Sequence, residues 1–326
     1  MSDTMQSHHT FRNYAWGVLL VIIGVILWGA FVRATGSGAG CGSHWPLCNG
    51  EVIPRPERIE TLIEFIHRGS SGLAFLGVAI LSVWAWRLTP PNIALRSWSA
   101  LSLAFMVSEA LVGAGLVLFG LVAENDSITR AVIIAIHLFN TFLLLASLTM
   151  TAWLASGYEP PVWLRRDPKT WLILIGVLGL IILGMSGAVT ALGDTLFPAS
   201  SLVEGFRQDI SSTASALIRL RVFHPVIAGL VCSYLFIFTG WLVSKSDEVL
   251  VQRFGRLLQI FILVQITAGF INLILLAPVW MQILHLLLAD AVWIIWILLS
   301  ANVLQPEKLA TQDTDRMKQA VYYENL

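Results

Sequence analysis

Residues 60–86 read ETLIEFIHRGSSGLAFLGVAILSVWAW, and residues 221–243 read RVFHPVIAGLVCSYLFIFTGWLV. Each opens on a few polar residues and continues as an apolar run. At about 1.5 Å per helical residue such a run crosses a hydrocarbon core about 30 Å thick. Each also places one histidine near its start and a glycine five residues beyond it: His67 with Gly72, and His224 with Gly229. Comparable runs recur along the chain, at 14–34, 98–122, 130–156, 170–190, 257–277 and 281–303. The first is too long for a signal-peptide core and lacks a cleavage site, so it is taken as a retained helix.

The fold class expected is therefore an all-α membrane protein of eight transmembrane helices, arranged as two pseudo-symmetric four-helix bundles. Composition agrees: 56% of residues are hydrophobic, 12% are charged and the formal net charge is zero. A soluble domain is usually about one quarter charged, and nothing here suits nucleic acid. Duplication extends beyond the opening pair. His137-Leu138 in the fourth span answers His285-Leu286 in the eighth, Glu109 with Gly113 answers Gln265 with Gly269, and Gly29 with Thr35 answers Gly184 with Thr190. Four helices per copy give the halves parallel topology, related by an axis along the membrane normal. The divisions expected are 1–13 as a cytoplasmic N-terminal tail, 14–156 and 170–303 as the halves, and 304–326 as a polar, flexible cytoplasmic tail.

Basic residues orient the chain. Arg12, Arg87, Arg96, Arg165, Arg166, Lys169, Lys245, Arg253, Arg256, Lys308, Arg316 and Lys318 fall on one side, against Arg55, Arg58 and Arg207 on the other. Both termini are then cytoplasmic, in a plasma membrane, and the loop at 35–59 faces outward. Its Cys41 and Cys48 meet an oxidising compartment that permits a disulfide, whereas Cys232 within the sixth span reads as a buried apolar group.

Of seven histidines, His8 and His9 read as solvated and His44 as a loop-surface residue. The other four sit one to each even-numbered span, about four to nine residues from its outer end, or about 6–14 Å deep. One intramembrane histidine is usually a contact between helices; four at one depth point to function. Imidazole ligates iron, and a histidine pair from facing helices holds both axial positions of a haem. The pairs expected are His67 with His137 and His224 with His285. Copper or zinc fits less well, because no compact Cys/His cluster is present.

Propionates need cations. Arg68 and Arg221 stand beside the histidines and read equally as propionate anchors or as headgroup contacts; Arg33 and Arg130 lie at outer helix ends, and snorkelling is preferred for Arg130. Glu64 shares a helix face with His67, yet its counterpart is Arg221. It reads as a ligand-orienting or proton-relaying group, or as an ion pair with Arg68 or Arg130. Glu109 and Asp290 read as proton-relay groups or, by preference, as polar contacts between helices.

The loop Cys41-Gly-Ser-His-Trp-Pro-Leu-Cys48-Asn-Gly, the Glu64-x-x-His67-Arg68 element and the three later histidines together resemble the haem A synthase family over about 17–304. That resemblance implies oxidation of the C8 methyl of haem O to a formyl group, by two hydroxylations and loss of water, for terminal oxidase assembly. It implies His67 and His137 around substrate haem O, His224 and His285 on a resident haem b, a functional Glu64, and Cys41 and Cys48 as a disulfide or an electron relay. Implied partners are a farnesyltransferase that makes haem O and an electron donor such as quinol, with a homo-oligomer left open. Two features depart from the family: Gly42-Ser43-His44 precedes the loop tryptophan, and 191–214 lacks a second cysteine pair. Rival functions are a quinol-linked cytochrome b electron carrier and, with less support, a haem or ion transporter.

Overall fold

The computed structural model describes residues 2–55, 58–163, 166–211 and 213–306, the side chains of 2–5 excepted. The C-terminal tail from 307, with Lys308, Arg316 and Lys318, and also Arg165, therefore lie outside the described residues. Among those described, the helices are α1 (Ser2–Ala34), α2 (Ile59–Arg87), α3 (Ile93–Leu118), α4 (Ile128–Ala155), α5 (Pro168–Leu196), α6 (Leu202–Ile210), α7 (Ala216–Arg221), α8 (Phe223–Lys245), α9 (Val249–Ile274) and α10 (Val279–Val303), with a 3-10 turn at Ser37–Ala39. Eight stretches are long and apolar enough to span a membrane, α7 and α8 together making one of them.

Helix ends outrun the apolar runs because polar caps, rather than hydropathy, stop them. Asn92 accepts from the Leu95 amide, Ser127 from Arg130 and Asp167 from Thr170, with Pro168 preset for the first turn. The third span thus starts at Ile93, and α9 starts at Val249 and carries Arg253 and Arg256 within it. The N-terminal segment expected as a solvated tail is helical from Ser2, and His8 Nε2 lies 3.1 Å from the Thr89 carbonyl.

Two elements depart from the sequence expectation. The sixth span breaks at Val222. Pro225 has no amide hydrogen for the Arg221 carbonyl one turn earlier and crowds it. The loop at 197–215 contains α6, whose Leu202, Val203, Phe206 and Ile210 are exposed.

Packing order is compatible with two four-helix bundles. In the first half α1 packs on α2 and α4, and α3 on α2 and α4; in the second α8 packs on α5 and α9, and α10 on α9 and α5. The halves meet where α4 packs on α5 and α10, and α1 on α10 and α5. Exchanging the halves maps this set of contacts onto itself. Burial is concentrated there: residues 144–154 of α4 and 292–301 of α10 are nearly all buried, with Trp153, Trp293 and Trp296 enclosed. The Trp293 indole donates to the Phe142 carbonyl at 2.8 Å, and the two rings stack at 4.8 Å.

Lipid removes much of the hydrophobic drive for helix association, so close packing must supply it. At Gly176 of α5 an added Cβ would sit 2.3 Å from Trp296 Cζ2, whereas at Gly24 of α1 it would meet nothing within 4 Å. Gly176→Ala should therefore cost about 1–3 kcal/mol through overpacking and lower the melting temperature in detergent. Gly24→Ala should leave it unchanged or raised. Equal melting of both variants with wild type would refute this account of helix packing.

Candidate functional site

Above the tightly packed inner region, α4 around His137 and α10 around His285 are only partly buried, so the bundle opens where the histidines lie. Each ring leans on backbone. A Cβ at Gly29 of α1 would stand 2.9 Å from His67 Cε1, one at Gly113 of α3 3.8 Å from His137, one at Gly187 of α5 3.0 Å from His224, and one at Gly269 of α9 3.2 Å from His285. The odd-numbered span before each histidine thus omits a side chain opposite the imidazole. Gly187, rather than the sequence-matched Gly184, is the working counterpart of Gly29. Gly184 instead faces Phe142 and Leu138 of α4.

His224 and His285 approach with ring centroids 6.5 Å apart and planes at 86°. With metal–nitrogen bonds of about 2.1 Å, two imidazoles on opposite sides of one iron bring their centroids to roughly 6 Å. Ser186 Oγ lies 3.0 Å from His224 Nδ1, and Gln265 Nε2 lies 3.3 Å from His285 Nε2. In the first half His67 and His137 lie within electrostatic reach of each other. Buried Nδ1 atoms of His67, His137 and His285 have no hydrogen-bond partner among the described residues. The spacing of His224 and His285 and the close approach of Gly29, Gly187 and Gly269 to their imidazoles fit a porphyrin held between paired rings. No group of three or more His, Cys, Asp or Glu suited to a bare metal ion occurs among the described residues, and a porphyrin, which fills four positions itself, requires only two protein ligands.

Glu64, 3% exposed, joins the first-half site to the outer loop. Its Oε2 accepts from the Cys41 amide at 2.7 Å, and its Oε1 accepts from Arg68 Nη2 at 2.6 Å. Arg68 also donates to the carbonyls of His44 and Leu47, the latter at 2.5 Å. Cys41 and Cys48 form a disulfide, both buried. Gly40 lies so close to α2 that a Cβ there would be 2.4 Å from the Glu60 carbonyl, and Thr61 Oγ1 donates to the Gly40 carbonyl at 2.7 Å. Glu64 and Arg68, which flank His67 in sequence, thus fasten the disulfide loop to α2. Arg68 spends its donors on this clasp, in agreement with the ion-pair alternative for Glu64.

Arg221 is likewise engaged, by Asp209 at 2.6 Å and Asp194 at 3.3 Å, with further donation to the Gly205 carbonyl and Gln208. It fastens α6 over the second half. Arg33 crosses between halves, donating to the Ala191 carbonyl at 2.6 Å, Thr195 at 2.9 Å and Gln282 at 2.8 Å. The preference for snorkelling at Arg130 is corrected: it is 4% exposed and donates to the Ala123 and Asn125 carbonyls at 2.5 and 2.8 Å. A loop carbonyl within reach satisfies its charge better than a distant headgroup. Glu109 makes the expected interhelical contacts, to Asn140 and Thr141 at 2.6 Å each, and also reaches His137. Asp290 does not make the contacts preferred for it; it is fully buried with neither oxygen hydrogen-bonded among the described residues. His44 is exposed and Cys232 is buried, both as expected.

A family model described as cytochrome oxidase assembly protein (COX15-CtaA) matches residues 12–297. A heme A synthase of Shouchella clausii is 31% identical over 248 residues, 72% of this chain and 76% of that protein. A heme A synthase of Exiguobacterium sp. is 27% identical over 263 residues, 80% and 83% of the two chains. A protein of Thermus thermophilus named protoheme IX farnesyltransferase is 53% identical over 295 residues, 90% of this chain. The chain spans about half of that relative, 48% of its length, so the farnesyltransferase activity is said of the longer protein alone.

If the glycine recesses seat the imidazoles, Gly187→Ala should push His224 aside and yield purified protein with substoichiometric haem. The open-space variant Gly24→Ala should keep full haem content. Pyridine haemochrome assay of both proteins checks this, and full haem retention in Gly187→Ala would contradict it.

Proposed function

Since the chain belongs to the haem A synthase family of cytochrome oxidase assembly proteins, we propose that it oxidises the C8 methyl of haem O to a formyl group. Haem biosynthesis and a multi-pass membrane setting come with the family and the eight spans; the particular oxidation, its substrate and the roles below are the proposal. The observation that carries it is the difference between otherwise matching histidine pairs. Beside the first pair stands Glu64, tied to the disulfide loop, and at the equivalent place in the second stands Arg221, tied to Asp194 and Asp209. One half has an acid–base group next to its iron ligand; the other has a charge-balanced brace. Reaction belongs in the first and redox storage in the second.

His67 and His137 hold haem O as substrate, and His224 and His285 hold haem b, which when bound supplies one-electron redox chemistry. Methyl to formyl is a four-electron oxidation overall, made as two hydroxylations, each of which would consume one O2 with two donor electrons and two protons and release one water, followed by loss of water from the geminal diol. Glu64 takes up and returns the protons of these steps at its carboxylate oxygens, while Arg68 and the Cys41 amide fix its orientation. The clasped loop covers the pocket and limits access of bulk water. Glycine recesses orient the rings. The loop charges favour cytoplasmic termini and a histidine layer toward the outer face of the plasma membrane. Quinol as electron donor and a haem O-forming farnesyltransferase as supplier complete the proposed setting.

The test is expression with a haem O-forming farnesyltransferase, followed by haem extraction and mass analysis. Wild type should yield haem A and hydroxylated intermediates, and Glu64→Gln should lower their formation about a hundredfold or more, the scale of a lost acid–base group. Undiminished haem A from Glu64→Gln would remove the carboxylate from the chemistry. Wild-type extracts containing only haem b would instead make the protein an electron carrier.

A further inference from the structure

We propose that Glu109 is a positioning residue of the first-half site: its carboxylate orients His137 and strengthens that imidazole as an iron ligand, a function that Gln265 lacks in the second half. The role presupposes that His137 ligates the substrate iron, as proposed above.

Glu109 Oε1 stands 3.4 Å from His137 Nδ1, within ion-pair distance though outside hydrogen-bond geometry. Its direction is set by two donors. Thr141 Oγ1 donates to Oε1 and Asn140 Nδ2 to Oε2, both at 2.6 Å. Asn140 is itself fixed, donating to the Phe105 carbonyl at 2.9 Å and accepting from Ser108 at 2.6 Å. The carboxylate is thereby anchored on both oxygens, while Oε1 retains a lone pair for the imidazole. One turn on, α3 presents Gly113 to the same ring. A single helix face gives His137 a charge at Nδ1 and room at Cε1.

The second half differs. Gln265 and Gly269, four residues apart on α9, also face His285, but the amide lies 3.3 Å from Nε2 rather than Nδ1, and a Cβ at Gly269 would stand 3.2 Å from the ring. Glutamine matches glutamate in length and shape. A glutamine would fit by size but could not accept from both Thr141 and Asn140, so the position calls for a carboxylate, whose charge then lies beside His137. A carboxylate facing Nδ1–H selects the tautomer that leaves Nε2 for iron. It also raises the basicity of the ring, which favours the more oxidised metal. Glu64 precedes one first-half histidine by three residues and Glu109 faces the other, where Arg221 and Gln265 stand in the second half.

The test uses full-length protein in detergent, with haem O added, and Glu109→Gln. Affinity of the first-half site for haem O, read by optical titration, should fall roughly tenfold to a hundredfold, and the midpoint potential of that haem should rise. Content and spectrum of the second-half haem b should stay as in wild type, which reports an intact fold. Glu109→Asp, which keeps the charge but draws it back from Nδ1, is the second variant and should weaken haem O binding in the same direction. It also decides the matter if Glu109→Gln fails to fold. Wild-type haem O affinity and midpoint in Glu109→Gln, or in Glu109→Asp where the first variant does not fold, would overturn the proposal. Absence of any His137-dependent haem O signal in wild type would instead sink the first-half substrate site itself.

Discussion

An imidazole inside a bilayer can face a large flat ligand only where the neighbouring helix gives way. In this bundle it gives way at the same place each time. Gly29, Gly113, Gly187 and Gly269 each lie beside one of the four intramembrane histidines, on the preceding odd-numbered span. With side chains at Gly29, Gly187 and Gly269 the rings would have to shift, whereas at Gly113 a Cβ would make ordinary contact with His137. The tight inner packing of α4 and α10 serves the same end: it fixes the lower parts of the central helices so that their upper parts can stand open around His137 and His285.

Onto this near-symmetric frame the chain writes different electrostatics. In the first half Glu64 lies between the Cys41 amide and Arg68, and Glu109 between Thr141, Asn140 and His137. In the second Asp194 and Asp209 pair with Arg221. A buried charge is tolerable only when paired or richly hydrogen-bonded, and each of these satisfies that condition differently. Asp290 stands apart, enclosed with neither oxygen hydrogen-bonded among the described residues.

The disulfide loop, exposed at residues 43–47, is fastened to α2 from below. Its backbone supplies the amide that holds Glu64 and the carbonyls that hold Arg68, so loop, carboxylate and His67 form one mechanical unit. Arg33 plays the corresponding part between halves, reaching from α1 into α5 and α10.

Much of this was legible before any coordinates. Eight spans follow from apolar length, the duplication from recurring intervals, and the four histidines from their placement in alternate spans, because hydropathy and periodicity are properties of neighbouring residues. Tertiary structure alone decided the rest. Gly187 replaced Gly184 because a recess is defined by what lies opposite it, and helix register shifts between repeats. The bond from Cys41 to Glu64, the reach of Glu109 to His137 and the turn of Arg130 toward its loop join residues whose meeting depends on how helices cross. The break at Val222 was implicit in Pro225, but α6 was held to its neighbours by Arg221, a contact that no local pattern encodes. Distance along the chain sets which helices exist; only their packing sets which side chains share a charge, a proton or a space.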